Sequence, residues 1–148
     1  MEMNSKPVIA YEDCLSIEEL LGLRSAASGE RFFNWNEILL LGFSAQMVET
    51  FVSVSGLTLE EIALAIGVHV SSLQQKRMDP VVSVRLLWLG VLFQRCEEGL
   101  GWRQVAAFWL RSPAQSLNGR APLCHLGAAM DARNVLAILD QMEAAVEV

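Results

Sequence analysis

An all-α fold, arranged as a compact multi-helix bundle, is predicted by three observations. Capping boxes of the form Ser/Thr-x-x-Glu stand at Ser16–Glu19 and Thr58–Glu61, where a hydroxyl and a carboxylate satisfy orphan backbone donors at a helix start. Apolar residues recur at helical spacing, as Met47, Val48, Phe51 and Val52, and again as Val135, Ile138, Leu139, Met142 and Val146. The 148 residues are 53% hydrophobic with a mean hydropathy of +0.35, which suits one core and excludes a largely disordered chain.

Taken in order, the first capping box opens a short helix to about residue 24. A polar connection over 29–34 leads into an apolar helix over 35–41 that stops at Gly42. Ser44 caps the next helix, which ends at Gly56. The helix after Thr58 turns Ile62, Ala65 and Ile66 inward and stops at Gly67; a further helix is expected over 69–77. Asp79 and Pro80, as N-cap and first helical residue, restart the chain into the longest helix, to about residue 98. It carries Val84, Leu87, Trp88, Val91 and Leu92 on most of its sides, so it is expected in the core or in a dimer interface. Gly99 and Gly101 end it, an amphipathic helix runs over 102–111 to a stop at Pro113, and 114–121 is a polar loop. Pro122 opens one turn, and Asp131 caps the last helix.

Charge and composition narrow the function classes. The net charge is −6, from 11 Lys and Arg against 17 Asp and Glu. It divides unevenly: −5 over residues 1–56, zero over 57–85, +2 over 86–127 and −3 over 128–148. Phosphate neutralisation needs clustered cations, so a strong unspecific nucleic-acid binder is excluded. The most apolar window, 81–93, is shorter than the ~20 residues of a membrane span and is interrupted by Ser83 and Arg85. With no apolar leader at the N-terminus, a cytoplasmic location and no membrane partner are expected. Cys14, Cys96 and Cys124 form no Cys-x-x-Cys pair, so no metal site is expected, and Cys124 reads as buried with His125 at the surface. No nucleotide-binding loop or hydrolase motif is present. No catalytic residue and no cofactor are therefore assigned, and the chain is not read as an enzyme.

Residues 58–77 read as a helix-turn-helix. Ala63 is small where a second helix must cross closely, Gly67 supplies the positive φ of the turn, and Ile62, Ile66, Val68 and Leu73 take buried positions. An ordinary αα-hairpin shares this turn chemistry. In a DNA-binding unit the second helix would present His69, Ser71, Ser72, Gln74 and Gln75 to base edges, with Lys76, Arg77 and Arg85 on phosphates. The zero local charge means that operator binding requires dimerisation or several copies in a complex.

The chain from about residue 36 onward resembles the Xre-type antitoxins of RES–Xre toxin–antitoxin pairs. The resemblance is carried by the helix-turn-helix, by Ser83-Val84-Arg85-Leu86 at the opening of the long helix, by Phe108-Trp109-Leu110 followed by Pro113, and by Leu117-Asn118-Gly119-Arg120-Ala121-Pro122-Leu123. Asn118 stands where the family has a loop glycine. Charge and capping mark 1–34 as an acidic N-terminal extension with a short helix, and the resemblance implies a helix-turn-helix module over 35–81 and a toxin-binding helical region over 82–148. It implies binding and neutralisation of a cognate RES-domain toxin that degrades NAD⁺, a homodimer forming a larger hetero-oligomer with that toxin, and repression of its own operon. Arg111 and Arg120 have the chemistry to reach carboxylates or a phosphate site, Asn118 and Gly119 lie in the exposed loop, and Glu143, Glu147 and Val148 form the C-terminal end; these are the candidate toxin contacts. Two other readings fit the residues: a stand-alone helix-turn-helix regulator, and a helical adaptor that has lost DNA binding.

Overall fold

The computed structural model describes residues 17–21 and 35–147. The α-helices are α1 (Ile17–Leu20), α2 (Trp35–Leu41), α3 (Ala45–Ser55), α4 (Leu59–Ile66), α5 (Pro80–Leu100), α6 (Arg103–Arg111), α7 (Pro122–His125) and α8 (Ala132–Glu147). Single 3₁₀ turns stand at Val70–Leu73, Gln115–Leu117 and Gly127–Ala129. Among the described residues there is no strand, and the fold is an all-α bundle. Ser16 and the 29–34 connection lie outside the described residues.

The helix boundaries follow local chemistry. Ser44 Oγ accepts from the Met47 amide at 3.3 Å, and Thr58 Oγ1 accepts from the Glu61 amide at 3.1 Å while Glu61 returns an acceptor to the Thr58 amide. Asp79 accepts from the Val81 amide at 2.8 Å, and Asp131 accepts from the Asn134 amide at 2.9 Å.

Helix α5 is the central element, and α1, α2, α4, α6 and α8 all pack on it. Its deepest face is formed by Ser83, Leu86, Leu89, Gly90, Leu92, Phe93, Cys96 and Glu97. The expected core stripe is therefore displaced: only Leu92 of it is buried, while Val84, Leu87, Trp88 and Val91 are half-buried. A helix apolar on most sides gives no phase to its hydrophobic pattern, so small Gly90 and polar Ser83 decide which side goes in. At Gly90 a Cβ would come 3.0 Å from Ile17 Cδ1, so α1 packs close against α5 there and a side chain would require Ile17 to shift. Phe51 meets Phe93 edge-on at 6.0 Å between ring centroids, joining α3 to α5. Burial alone pushes the Cys96 thiol up to about 12, so it stays protonated and packs as a small apolar group.

No single helix among the described residues is long and apolar enough to cross a membrane. Helices α2 and α3 together reach that length, but they bend by 114° at their break, and α3 buries Met47, Val48 and Phe51 in the core.

Candidate functional site

The helix expected over 69–77 does not form. After Gly67, at φ +71°, the chain makes one 3₁₀ turn at Val70–Leu73, and Gln74 to Arg77 follow as bends. The reason lies in the side chains. His69 Nδ1 accepts from the Ser71 amide at 3.1 Å and Gln75 Nε2 donates to the Ser71 carbonyl at 3.1 Å, so both polar ends close the turn on itself. Leu73 is its one fully buried anchor. His69, Ser71, Gln74, Gln75 and Lys76 are exposed and Ser72 is half-buried, but they stand on a turn and a bend rather than along a helix.

Two of the three cations assigned to phosphates donate to backbone carbonyls of the bundle, while Lys76 is exposed. Arg77 Nη1 donates to the Gly42 carbonyl at 3.4 Å, and Arg85 Nη1 donates to the Ile66 carbonyl at 3.3 Å. Arg111 does the same more strongly. Its Nη2 donates to the Gly56 carbonyl at 2.6 Å, and it grips Glu61 with Nε to Oε2 at 2.7 Å and Nη2 to Oε1 at 2.9 Å. Each guanidinium thus meets a carbonyl at the C-terminal end of a helix: α2, α4 and α3 respectively. These are the groups that lack intrahelical donors and carry the negative end of the helix dipole. The hydrogen bond from Arg111 holds the Glu61 carboxyl below its ordinary range, and Glu61 in turn raises Arg111.

The Ser83-x-Arg85-Leu86 motif has a structural role throughout. Ser83 Oγ accepts from the buried Phe43 amide at 2.8 Å and donates to the Asp79 carbonyl at 3.1 Å, while the Met78 amide donates to the Phe43 carbonyl at 2.8 Å. This clasp ties the α2–α3 corner to the start of α5. Arg85 caps α4, and Leu86 is fully buried.

Helix α4 is covered from the other side by α7 and the Gly127–Ala129 turn. At Gly67 a Cβ would overlap the Ala128 amide nitrogen and lie 2.8 Å from the Gly127 carbonyl carbon. The turn glycine is therefore needed twice, for its positive φ and for the close approach of a second backbone.

The 114–120 loop is a tight hairpin-like turn, with the Ala114 amide donating to the Arg120 carbonyl at 3.1 Å and the Gly119 amide to the Ala114 carbonyl at 2.9 Å. Asn118 takes φ +60°, a left-handed conformation that asparagine tolerates better than most residues, which explains how it replaces a glycine. Leu117, Pro122 and Leu123 are buried and fasten the loop to the core, leaving Asn118, Gly119 and Arg120 exposed at its tip. Inside α7 the expected environments are exchanged: Cys124 is exposed and His125 is half-buried, because Pro122 and Leu123 claim the inward side of a one-turn helix. Glu143 and Glu147 fall in the last turns of α8, where the backbone alone is described, and Val148 lies outside the described residues.

Helix α6 exposes residues that were not among the candidate toxin contacts, although Phe108 and Trp109 belong to the Phe108-Trp109-Leu110 motif. It buries the small side chains Ala106 and Ala107 together with Leu110. Val105, 41% exposed, and Phe108, 70% exposed, lie on the opposite face; Trp102, the N-cap residue just before the helix, is 52% exposed, and Trp109 is half-buried. The Ala-Ala pair is the signal that could have found them, since two methyls in the inward phase force the bulky residues out. At its start, Arg103 donates to the buried carboxylate of Glu97 at 2.7 Å, locking the α5–α6 corner.

Around the central helix, the 114–120 hairpin tip and the apolar residues Trp102, Val105 and Phe108 stand exposed to solvent. Residues 100–144, from the end of α5 through most of α8, match the family model of the antitoxin Xre/MbcA/ParS C-terminal toxin-binding domain. No curated protein matches the chain.

Proposed function

We propose that this protein is an antitoxin that neutralises a cognate toxin by direct binding, and that the toxin is a RES-domain enzyme that degrades NAD⁺. The observation that carries the reading is the toxin-binding family match at 100–144, which falls on the segment where the hairpin tip and an apolar helix face stand open to solvent. The antitoxin works as a homodimer in a larger assembly with the toxin. The direct test is co-expression with the product of the adjacent reading frame, followed by NAD⁺ measurement. Restored growth and preserved NAD⁺, with a co-purifying complex, are the expected results; no complex and continued NAD⁺ loss sink the reading.

Operator binding is the second reading. The exposed polar groups His69, Ser71, Gln74, Gln75 and Lys76 between α4 and α5 support it. Because Arg77 and Arg85 serve helix ends and the region carries no net charge, DNA contact belongs to the multi-copy complex with toxin rather than to the free chain. An electrophoretic shift of the upstream DNA by the complex, absent for the free chain and lost on combining Lys76→Ala with Arg77→Ala, is the expected outcome. A shift by the complex that ignores both substitutions removes this reading.

A further inference from the structure

Resting on the toxin-binding reading above, we propose that the outward face of α6, formed by Val105 and Phe108 with Trp102 just before them and continued at the loop tip by Arg120, is the surface on which the toxin docks. The partner it fits is a folded protein presenting an apolar groove with a carboxylate at one end.

The first argument is the inversion of α6. Helix α6 packs two alanines and one leucine against the core and leaves its larger apolar side chains, with Trp102 before them, without the burial that would stabilise the fold. Scattered surface apolar residues are ordinary, but Val105 and Phe108 share one face of α6, and Trp102 stands directly before it as its N-cap residue. With large aromatic side chains at about 150–250 Å² each, the stripe leaves roughly 300 Å² of apolar surface in water, comparable to the largest patch of a typical monomer.

The second argument is size. A second copy pairing stripe to stripe would bury roughly 600 Å² in all, below the roughly 1,200 Å² at the low end of specific interfaces. The occupant must therefore extend beyond the stripe. The chain leaves α6 through exposed Pro113 into the loop whose tip holds Asn118, Gly119 and Arg120, so the surface continues that way.

The third argument is charge. Residues 99–130 contain Arg103, Arg111 and Arg120 and no Asp or Glu. Glu97 and Glu61 already engage Arg103 and Arg111 from outside that stretch, while Arg120 is exposed at the tip. A second copy paired stripe to stripe brings the same acid-free stretch against Arg120, whereas a different protein can place a carboxylate there. Aromatic and Arg side chains are also the types that dominate protein-protein binding energy.

The test uses the full chain and the product of the adjacent reading frame, with binding followed by calorimetry and the fold by circular dichroism. Trp102→Ala and Phe108→Ala should each weaken binding at least tenfold, and Phe108→Asp at least a hundredfold, all with unchanged helix content. Arg120→Glu should weaken it about tenfold. Leu40→Asp, on the equally exposed end of α2, should leave binding unchanged. If the wild-type chain binds and the stripe variants bind equally well, the docking surface is wrong and the antitoxin reading stands. If the stripe variants shift the sedimenting mass of the chain alone and not its affinity for the partner, the face belongs to a second copy and the proposal is overturned. If the wild-type chain does not bind at all, the toxin-binding reading falls and this surface falls with it.

Discussion

The stretch from α4 to the start of α5 and the stretch from α6 to α7 both combine short helices, arginines and a glycine-containing turn, and they direct these materials oppositely. In the first, polar and cationic groups bond back to the chain's own backbone: Arg77 and Arg85 serve carbonyls at the ends of α2 and α4, and His69 and Gln75 close a 3₁₀ turn while staying exposed. In the second, apolar groups turn outward: Trp102, Val105 and Phe108 face solvent over an inner face of alanines. Residue type alone would assign the first to nucleic acid and the second to the core. Geometry reverses the emphasis, and the direction a side chain takes matters more than its chemistry.

The sharpest way to break the first region is at Gly67. Gly67→Val adds a β-branched side chain at φ +71° and drives its Cβ into the Ala128 backbone, so a loss of about 3 kcal/mol or more is expected in chemical denaturation. Gly56→Ala is the comparison. Its φ is +80°, but nothing lies within 4 Å of the added methyl, so only the conformational term of about 1 kcal/mol should appear. Equal losses at the two sites would mean that the Gly67 approach to Ala128 is unimportant.

Ser83→Ala comes next. It strands the buried Phe43 amide, at a cost of about 1–3 kcal/mol in the same measurement. Arg111→Gln is smaller, because both members of the pair with Glu61 are partly exposed and screened by solvent: about 1 kcal/mol or less is expected at pH 7. The pH dependence has a fixed sign. Glu61 is held below its ordinary value of 4.5 by Arg111, so its contribution is complete above about that pH and is lost as pH falls through the lowered folded value. The stability gap between wild type and Arg111→Gln should therefore narrow on going from pH 7 to pH 3; a gap that widens would contradict the pairing. The smallest effect belongs to the second region. Phe108→Ser, at a side chain already 70% exposed, should change stability by no more than about 0.5 kcal/mol, and a larger loss would show that the stripe packs internally.

Much of the bundle was legible in local chemistry. Ser44, Thr58, Asp79 and Asp131 announced their helices because capping depends on residues two or three apart, and Gly56, Gly67 and Gly101 announced the stops because a positive φ has few alternatives. Less legible were features set across the chain. That 69–77 would close into one turn depends on where its polar side chains find partners. The working face of α5 depends on the close packing of Ile17 against Gly90. The internal roles of Arg77, Arg85 and Arg111 depend on helix ends 35, 19 and 55 residues away. Of the candidate site, the tip residues Asn118, Gly119 and Arg120 were readable as an exposed loop, whereas the α6 stripe was hidden by the habit of assigning aromatics to the interior.

The contact of Gly67 with Ala128 also bears on how such a chain can change over generations. A helix-turn-helix that ended at its own surface could be traded between genes as an independent cassette. Here the turn is shaped to a backbone sixty residues downstream, and Arg111 reaches back to the same helix from yet another segment. A crossover near residue 80 that imports a foreign second half would bring a different backbone against Gly67 and lose the guanidinium that holds Glu61. The heritable unit is therefore the whole bundle, and the two halves should be exchanged together or not at all.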